Sequence, residues 1–164
     1  MTVAAIIPAY NEEKTVGEVI QTLKNVKEID RIIVVSDAST DNTAKVARNY
    51  GVDVVELDRN HGKGGALKAG FNRTWEDVLL FIDADLIGLK PQHVTDLLQP
   101  VINGEADMTI GVFEKGRFAT DLAQKLAPFL SGQRAVSRRV FKEISDLEFT
   151  RFGVEMALTK YVDG

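Results

Sequence analysis

Short, nearly unbroken apolar runs alternate along this chain with longer amphipathic segments, and that alternation constrains the fold more than any other feature. Residues 3–7, 31–35 and 78–82 are such runs, suited to strands covered on both faces. Residues 53–57 and 108–112 are weaker strand expectations. Between the first two runs, Val16, Val19, Ile20, Leu23 and Val26 follow the i, i+3, i+4, i+7, i+10 stripe of an amphipathic helix. Further helices are expected at 42–50, 64–75, 94–102 and 119–126. Pro91 and Pro100 bracket the 94–102 region, and Pro128 stops the helix before it. Residues 152–162 return to a helical pattern. Strand and helix in strict alternation imply right-handed crossovers and a mostly parallel α/β sheet with helices on both faces. Residues 113–117, with Gly116, read as a loop within one domain.

Composition narrows the class. A length of 164 residues fits one domain, and 45% hydrophobic residues suffice for a core. A net charge of −4 argues against a nucleic-acid-coating protein and against a polybasic membrane binder. With no Cys, disulfide frameworks, thiolate zinc sites and a Cys nucleophile are excluded, and a cytoplasmic location is the expectation. The first residues lack the basic-then-apolar pattern of a secretory signal. No apolar run approaches the ~18 residues a membrane span needs.

In open α/β sheets, ligands bind beyond the carboxyl ends of the strands. Polar motifs follow three expected strands: Pro8-Ala9-Tyr10-Asn11-Glu12, Ser36-Asp37-Ala38-Ser39-Thr40-Asp41, and Asp83-Ala84-Asp85. Residues two apart in extended chain point the same way, so Asp83 and Asp85 would repel unless a cation or Arg intervenes. Mg²⁺ or Mn²⁺ held by one or two carboxylates and a diphosphate is one solution; a pair of turn and cap aspartates is the other. Asp37 can accept from a nucleobase imide or a ribose hydroxyl, or serve as a turn residue. Thr40 and Asp41 read as helix caps. Tyr10 can stack on a base or sit half-buried at a rim.

Asn60-His61-Gly62-Lys63-Gly64-Gly65 precedes a helix, and its glycines permit close backbone approach to an anion. Lys63 adds a charge suited to phosphate, although the spacing is not that of a P-loop. His61 and His93 lack a second His at metal spacing and read as surface or loop residues. In the polar loop Ser131-Gly132-Gln133-Arg134-Ala135, Arg134 can clamp a phosphate or carboxylate. Arg138 and Arg139 read as a solvated basic face. Glu155, among Phe152, Val154, Met156 and Leu158, faces either a site or solvent.

In order and spacing, IIPAYNEE, VVSDASTDNT, NHGKGGALKAG and FIDADL resemble family 2-like glycosyltransferases of the GT-A fold, a Rossmann-like architecture. The later SGQRAVSRRVF and FGVEMALT are similar to glucosyl-3-phosphoglycerate synthases, and the first half also to dolichol-phosphate-mannose synthases. The resemblance implies that Pro8, Ala9, Tyr10 and Glu12 line a nucleotide pocket, with Asp37 on the base and Lys63 near the phosphates. It makes Asp83 and Asp85 the metal and sugar-nucleotide motif, and turns Ser131, Gln133, Arg134 and Glu155 toward the donor sugar or acceptor. Three departures stand out. Ser36-Asp37-Ala38 replaces the usual Asp-Asp-Gly. Ile87 occupies a position where lipid-linked mannosyltransferases often carry Gln. No His follows His93, although many relatives use one as a metal ligand. The expectation is therefore a single domain over residues 1–164 that lacks a C-terminal portion.

The function so implied is metal-dependent transfer of a sugar from a UDP- or GDP-linked donor to a hydroxyl or phosphate acceptor, the acceptor being a small molecule or a lipid phosphate. Asp85 and Glu155 are the catalytic candidates, and Glu155 would be the base for a hydroxyl acceptor. A nucleotidyltransferase is the alternative, but it favours a Gly-rich basic loop after the first strand, where Pro8–Glu12 stands. A non-catalytic nucleotide-sugar-binding domain is the other. No nucleic-acid partner is expected, and a homodimer is left open.

Overall fold

A computed structural model describes residues 1–114, 117–119 and 132–147. In chain order its elements are β1 (Val3–Ala9), α1 (Val16–Lys24), β2 (Arg31–Ser36), α2 (Thr43–Asn49), β3 (Asp53–Glu56), α3 (Gly62–Phe71), β4 (Val78–Phe81), α4 (Pro91–Ile102), β5 (Met108–Glu114), β6 (Arg117–Ala119), β7 (Gln133–Ser137) and α5 (Arg138–Leu147). The strands form one sheet in the order β3-β2-β1-β4-β7-β5-β6. The four strands β3, β2, β1 and β4 are parallel neighbours, as a helix after each of the first three strands requires. Strand β7 is antiparallel to both β4 and β5, so β5 runs with the parallel set.

The apolar runs become strands because each residue faces one of two cores. Val3, Ala5 and Ile7 pack with Leu80 and Ile82 against Val19, Ile20 and Leu23 of α1 and Val94, Leu97 and Leu98 of α4. Ala4 and Ile6 pack with Leu79 and Phe81 against Ala66 and Leu67 of α3 and Val140, Phe141 and Ile144 of α5. The expected α/β sheet with helices on both faces is what forms, with β1, β2 and β4 as adjacent interior strands. Among the described residues no helix is long and apolar enough to cross a membrane.

The chain departs from its sequence reading in five places. The helix expected at 64–75 spans Gly62–Phe71, starting two residues earlier and ending four residues earlier. Of residues 131–135, read as a polar loop, 133–135 belong to interior strand β7; the leading Gln133 and Arg134 disguise a strand that β4 and β5 flank on either side. Of residues 113–117, read as loop, Phe113 and Glu114 end β5 and Arg117 opens β6, and the two strands pair antiparallel. Ala119, expected to begin a helix, closes β6; the rest of that helix and the one at 152–162 lie outside the described residues. Pro100 sits inside α4 instead of bounding it, near the C-terminal end, where its carbonyl accepts from the Glu105 and Ala106 amides at 2.8 and 3.1 Å.

Candidate active site

Strand order places the site. Because β2 lies on one side of β1 and β4 on the other, the connections from β1 and β4 leave in different directions and open a crevice above their carboxyl ends. A cleft of about 360 Å³ lies there, lined by Pro8, Ala9, Tyr10, Glu12, Asp37, Lys63, Asp83, Ala84 and Asp85. Three strand-end motifs and the helix-opening lysine thus converge. Tyr10 stands 49% exposed at the rim.

The loops after β1 and β2 interlock. Asn11 adopts φ 53° and its Oδ1 accepts from the Thr40 amide at 2.8 Å, while its own amide donates to Ser39 Oγ at 3.0 Å. The Glu12 amide donates to Thr43 Oγ1 at 2.9 Å and the Glu13 amide to Asp41 Oδ2 at 3.2 Å. Asp41 also accepts from the Thr43 amide at 2.9 Å. Burial works to raise the Asp41 pKa, but the bonds from Thr43 and Glu13 outweigh it and hold the carboxyl below its ordinary range. The N-cap of α2 is Asn42, which makes no side-chain capping bond, so Thr40 and Asp41 are not the caps expected of them; they tie the two loops together instead. The parts of Asn11, Ser39 and Thr43 were missed; a cluster of Asn, Ser and Thr just past two strands was their only signal.

Asp37 is 4% exposed, and its carboxylate accepts from two backbone amides at the start of α3, His61 at 2.7 Å and Gly62 at 2.9 Å. It both lines the cleft and fixes the loop that carries Lys63. Lys63 Nζ lies 2.7 Å from Asp83 Oδ1. The other carboxylate oxygen of Asp83 accepts from Gln133 Nε2 at 3.2 Å, and the Asp83 amide donates to Gln133 Oε1 at 2.7 Å. Asp85 is exposed in the cleft wall. Glu12 has its pKa raised, first by burial and then by the charge of Asp85, with Asp41 and Asp83 adding to it and a bond from Thr15 opposing it. The cleft floor is therefore strongly anionic, with Lys63 set against it.

That donor set fits a hard divalent cation. No group of three or more His, Cys, Asp or Glu able to hold a metal occurs among the described residues. Two carboxylates at the mouth of a cleft suffice for Mg²⁺ or Mn²⁺ when a diphosphate and water complete the shell. Asp83 and Asp85 are the residues that would hold it.

Other expected site residues fall elsewhere. Arg134 projects to the sheet face opposite Gln133, is 1% exposed, has Nη1 3.8 Å from Met108 Sδ, and does not line the cleft. Gln133 reaches the cleft only through Asp83. Ser131 and Glu155 lie outside the described residues. Arg138 corrects its reading as a solvated side chain. Its guanidinium donates to the Glu76 carbonyl and Thr74 Oγ1 and lies 4.6 Å from the Phe71 ring centroid, tying α5 to the entry of β4. Arg139 is exposed and pairs with Asp107 at 3.2 Å. His61 precedes α3, and His93 Nδ1 accepts from the Lys90 amide at 3.2 Å in the first turn of α4.

The profile of glycosyl transferase family 2 matches residues 4–160. Glucosyl-3-phosphoglycerate synthase of Mycobacterium tuberculosis is 31% identical over 96% of this chain and 59% of its own length. The Mycolicibacterium smegmatis enzyme of the same name is 37% identical over 62% of this chain and 36% of its own. UDP-N-acetylglucosamine–dolichyl-phosphate N-acetylglucosaminyltransferase of Methanococcus voltae is 32% identical over 65% of this chain and 49% of its own. The crystal structure of the M. tuberculosis synthase with Mn²⁺, uridine diphosphate and phosphoglyceric acid superposes with a TM-score of 0.78 at 32% identity, over 96% of this chain and 62% of that one. This chain therefore spans less than two thirds of the length of these relatives.

Proposed function

We propose, from the premise that this chain belongs to glycosyl transferase family 2, that its cleft binds a nucleotide-diphosphate sugar with Mg²⁺ or Mn²⁺ and that the sugar passes to a hydroxyl or phosphate acceptor. The observation that carries the reading is the convergence of Tyr10, Asp37, Lys63, Asp83 and Asp85 on one crevice at the strand ends. Tyr10 and Asp37 serve the base and ribose end, with Pro8, Ala9 and Glu12 forming the adjoining wall. Lys63, held at the opening of α3, serves the diphosphate. When bound, the divalent cation offsets the charge that develops on the departing diphosphate.

Uridine is the favoured base, because the similar M. tuberculosis structures hold uridine diphosphate or UDP-glucose with Mn²⁺ or Mg²⁺. Phosphoglyceric acid in the same structures favours a small anionic acceptor over a lipid phosphate. Glu155 and Ser131 remain candidates for the acceptor side, and residues 1–164 are read as one nucleotide-sugar-binding domain.

Calorimetry with UDP-glucose in Mn²⁺ and in EDTA tests the reading, followed by product analysis with 3-phosphoglycerate. Binding should be tighter in Mn²⁺, and Asp85→Asn should remove the difference. Equal affinity in EDTA would discard the metal. Absence of UDP-glucose binding would discard the donor. Metal-dependent binding without transfer or hydrolysis would favour a binding domain.

A further inference from the structure

We propose that Gln133 is a positioning residue that fixes the rotamer of Asp83 at the cleft mouth and leaves Asp83 Oδ1 as the oxygen presented to the bound cation and nucleotide. The inference deepens the reading above and rests on it.

The β4–β7 ladder pairs Phe81 with Arg134 and then ends. Beyond that rung the Ile82 amide still donates to the Ile6 carbonyl of β1 at 3.2 Å, but no backbone rung from β7 reaches Asp83. The Gln133 side chain supplies the missing rung. Its Oε1 accepts the Asp83 amide at 2.7 Å and its Nε2 donates to Asp83 Oδ2 at 3.2 Å. One amide group therefore holds both the backbone and the carboxylate of the same residue. An amide is the side chain that can do this. A carboxylate would keep the acceptor and set like charges together, and an apolar group would leave a half-buried N–H without a partner.

The two oxygens of Asp83 are held in different ways. Gln133 is 2% exposed and belongs to a strand hydrogen-bonded on both sides, so it has nowhere to swing. Lys63, on Oδ1, is 35% exposed at its side chain and sits on a flexible four-carbon stem at a helix start. A cation or nucleotide entering the cleft can take over Oδ1 as Lys63 turns to the phosphates, while Oδ2 stays bound to Gln133. Outer-shell partners of this kind are commonly worth ~10–100-fold in metal affinity.

The test compares the wild-type chain with Gln133→Met and Gln133→Glu, using UDP as the probe, by calorimetry in Mn²⁺ and in EDTA. Thermal unfolding and circular dichroism are recorded for each protein. Gln133→Met removes both bonds at nearly constant volume. Gln133→Glu retains the acceptor for the Asp83 amide and so protects the local fold. The expected result is a loss of about tenfold or more in UDP affinity in Mn²⁺, with UDP affinity in EDTA changed less than about twofold in the same variants. A residue that only supports the fold would lower both arms together. Equal losses in the two arms, or wild-type affinity in both variants, would overturn the role of Gln133 while leaving the metal reading intact. A wild-type chain that binds UDP equally in Mn²⁺ and EDTA would overturn the metal reading and this inference with it.

Discussion

Two residues at the cleft are held in states that cost stability. Ala38, directly after Asp37, adopts φ 62°, in the left-handed region where a Cβ crowds the following carbonyl. Ala38→Gly removes that crowding at some cost in chain entropy, for a net gain of up to about 1 kcal/mol. The melting temperature should rise by about 2–4 °C per kcal/mol gained, and an unchanged or lower value would show that the turn tolerates the methyl. Glu12 is the second case. Burial, then Asp85, Asp41 and Asp83, lift its pKa above its ordinary 4.5. A carboxyl with a raised folded pKa contributes stability that is fully present below 4.5 and lost as pH rises through the folded value. Glu12→Gln should therefore melt higher than wild type at pH ~7.5, with the gap closing as pH falls toward 4.5. Equal melting temperatures at neutral pH would mean that the anionic floor is relaxed by solvent.

Helix α3 decides how the elements present the site. It opens on the two amides held by Asp37, carries Lys63 one residue later, and lies against β1 and β2 through Gly70. A Cβ at Gly70 would stand 2.6 Å from Ile6 Cγ2 and 3.2 Å from Val35 Cγ2, both on buried β-branched residues of interior strands. Gly70→Ala should destabilise the fold by about 1–3 kcal/mol, measurable by urea unfolding. It should also weaken nucleotide binding, because a lifted helix moves Lys63. A variant with wild-type stability would show that the helix can rise freely. Asp37→Ala belongs to this scale too. With two bonds at the mouth of α3 removed, it should lose nucleotide affinity together with order at residues 60–63.

Across the whole molecule, the antiparallel insertion of β7 between β4 and β5 joins the nucleotide half to the rest. Gln133 on one face of β7 reaches the cleft, while Val136 on the other joins the core beneath α3 and α5. Ligand binding to this assembled state should raise its stability by mass action. At one hundred times the dissociation constant the gain is about 2.7 kcal/mol. A thermal-shift series with UDP, GDP and dTDP should give the largest rise with UDP and Mn²⁺. A larger rise with GDP would replace uridine with guanosine as the base.

Sequence alone dictates the parallel half of the sheet, because an apolar run must be covered on both faces and only intervening helices can cover it. For the same reason it located the cleft: motifs that directly follow adjacent parallel strands open on one edge, so Pro8, Tyr10, Asp37, Asp83 and Asp85 could be grouped before any coordinates. Which oxygen of Asp83 meets Gln133 and which meets Lys63 is settled by packing in three dimensions. Gln133 lies fifty residues away in sequence, in a strand whose polar start carries no period-two pattern. Its pairing is set by β4 and β5 together, so no local pattern encodes it. Arg134 shows the converse: its residue type suits an anion, but alternation along β7 turns it to the face opposite Gln133, away from the cleft.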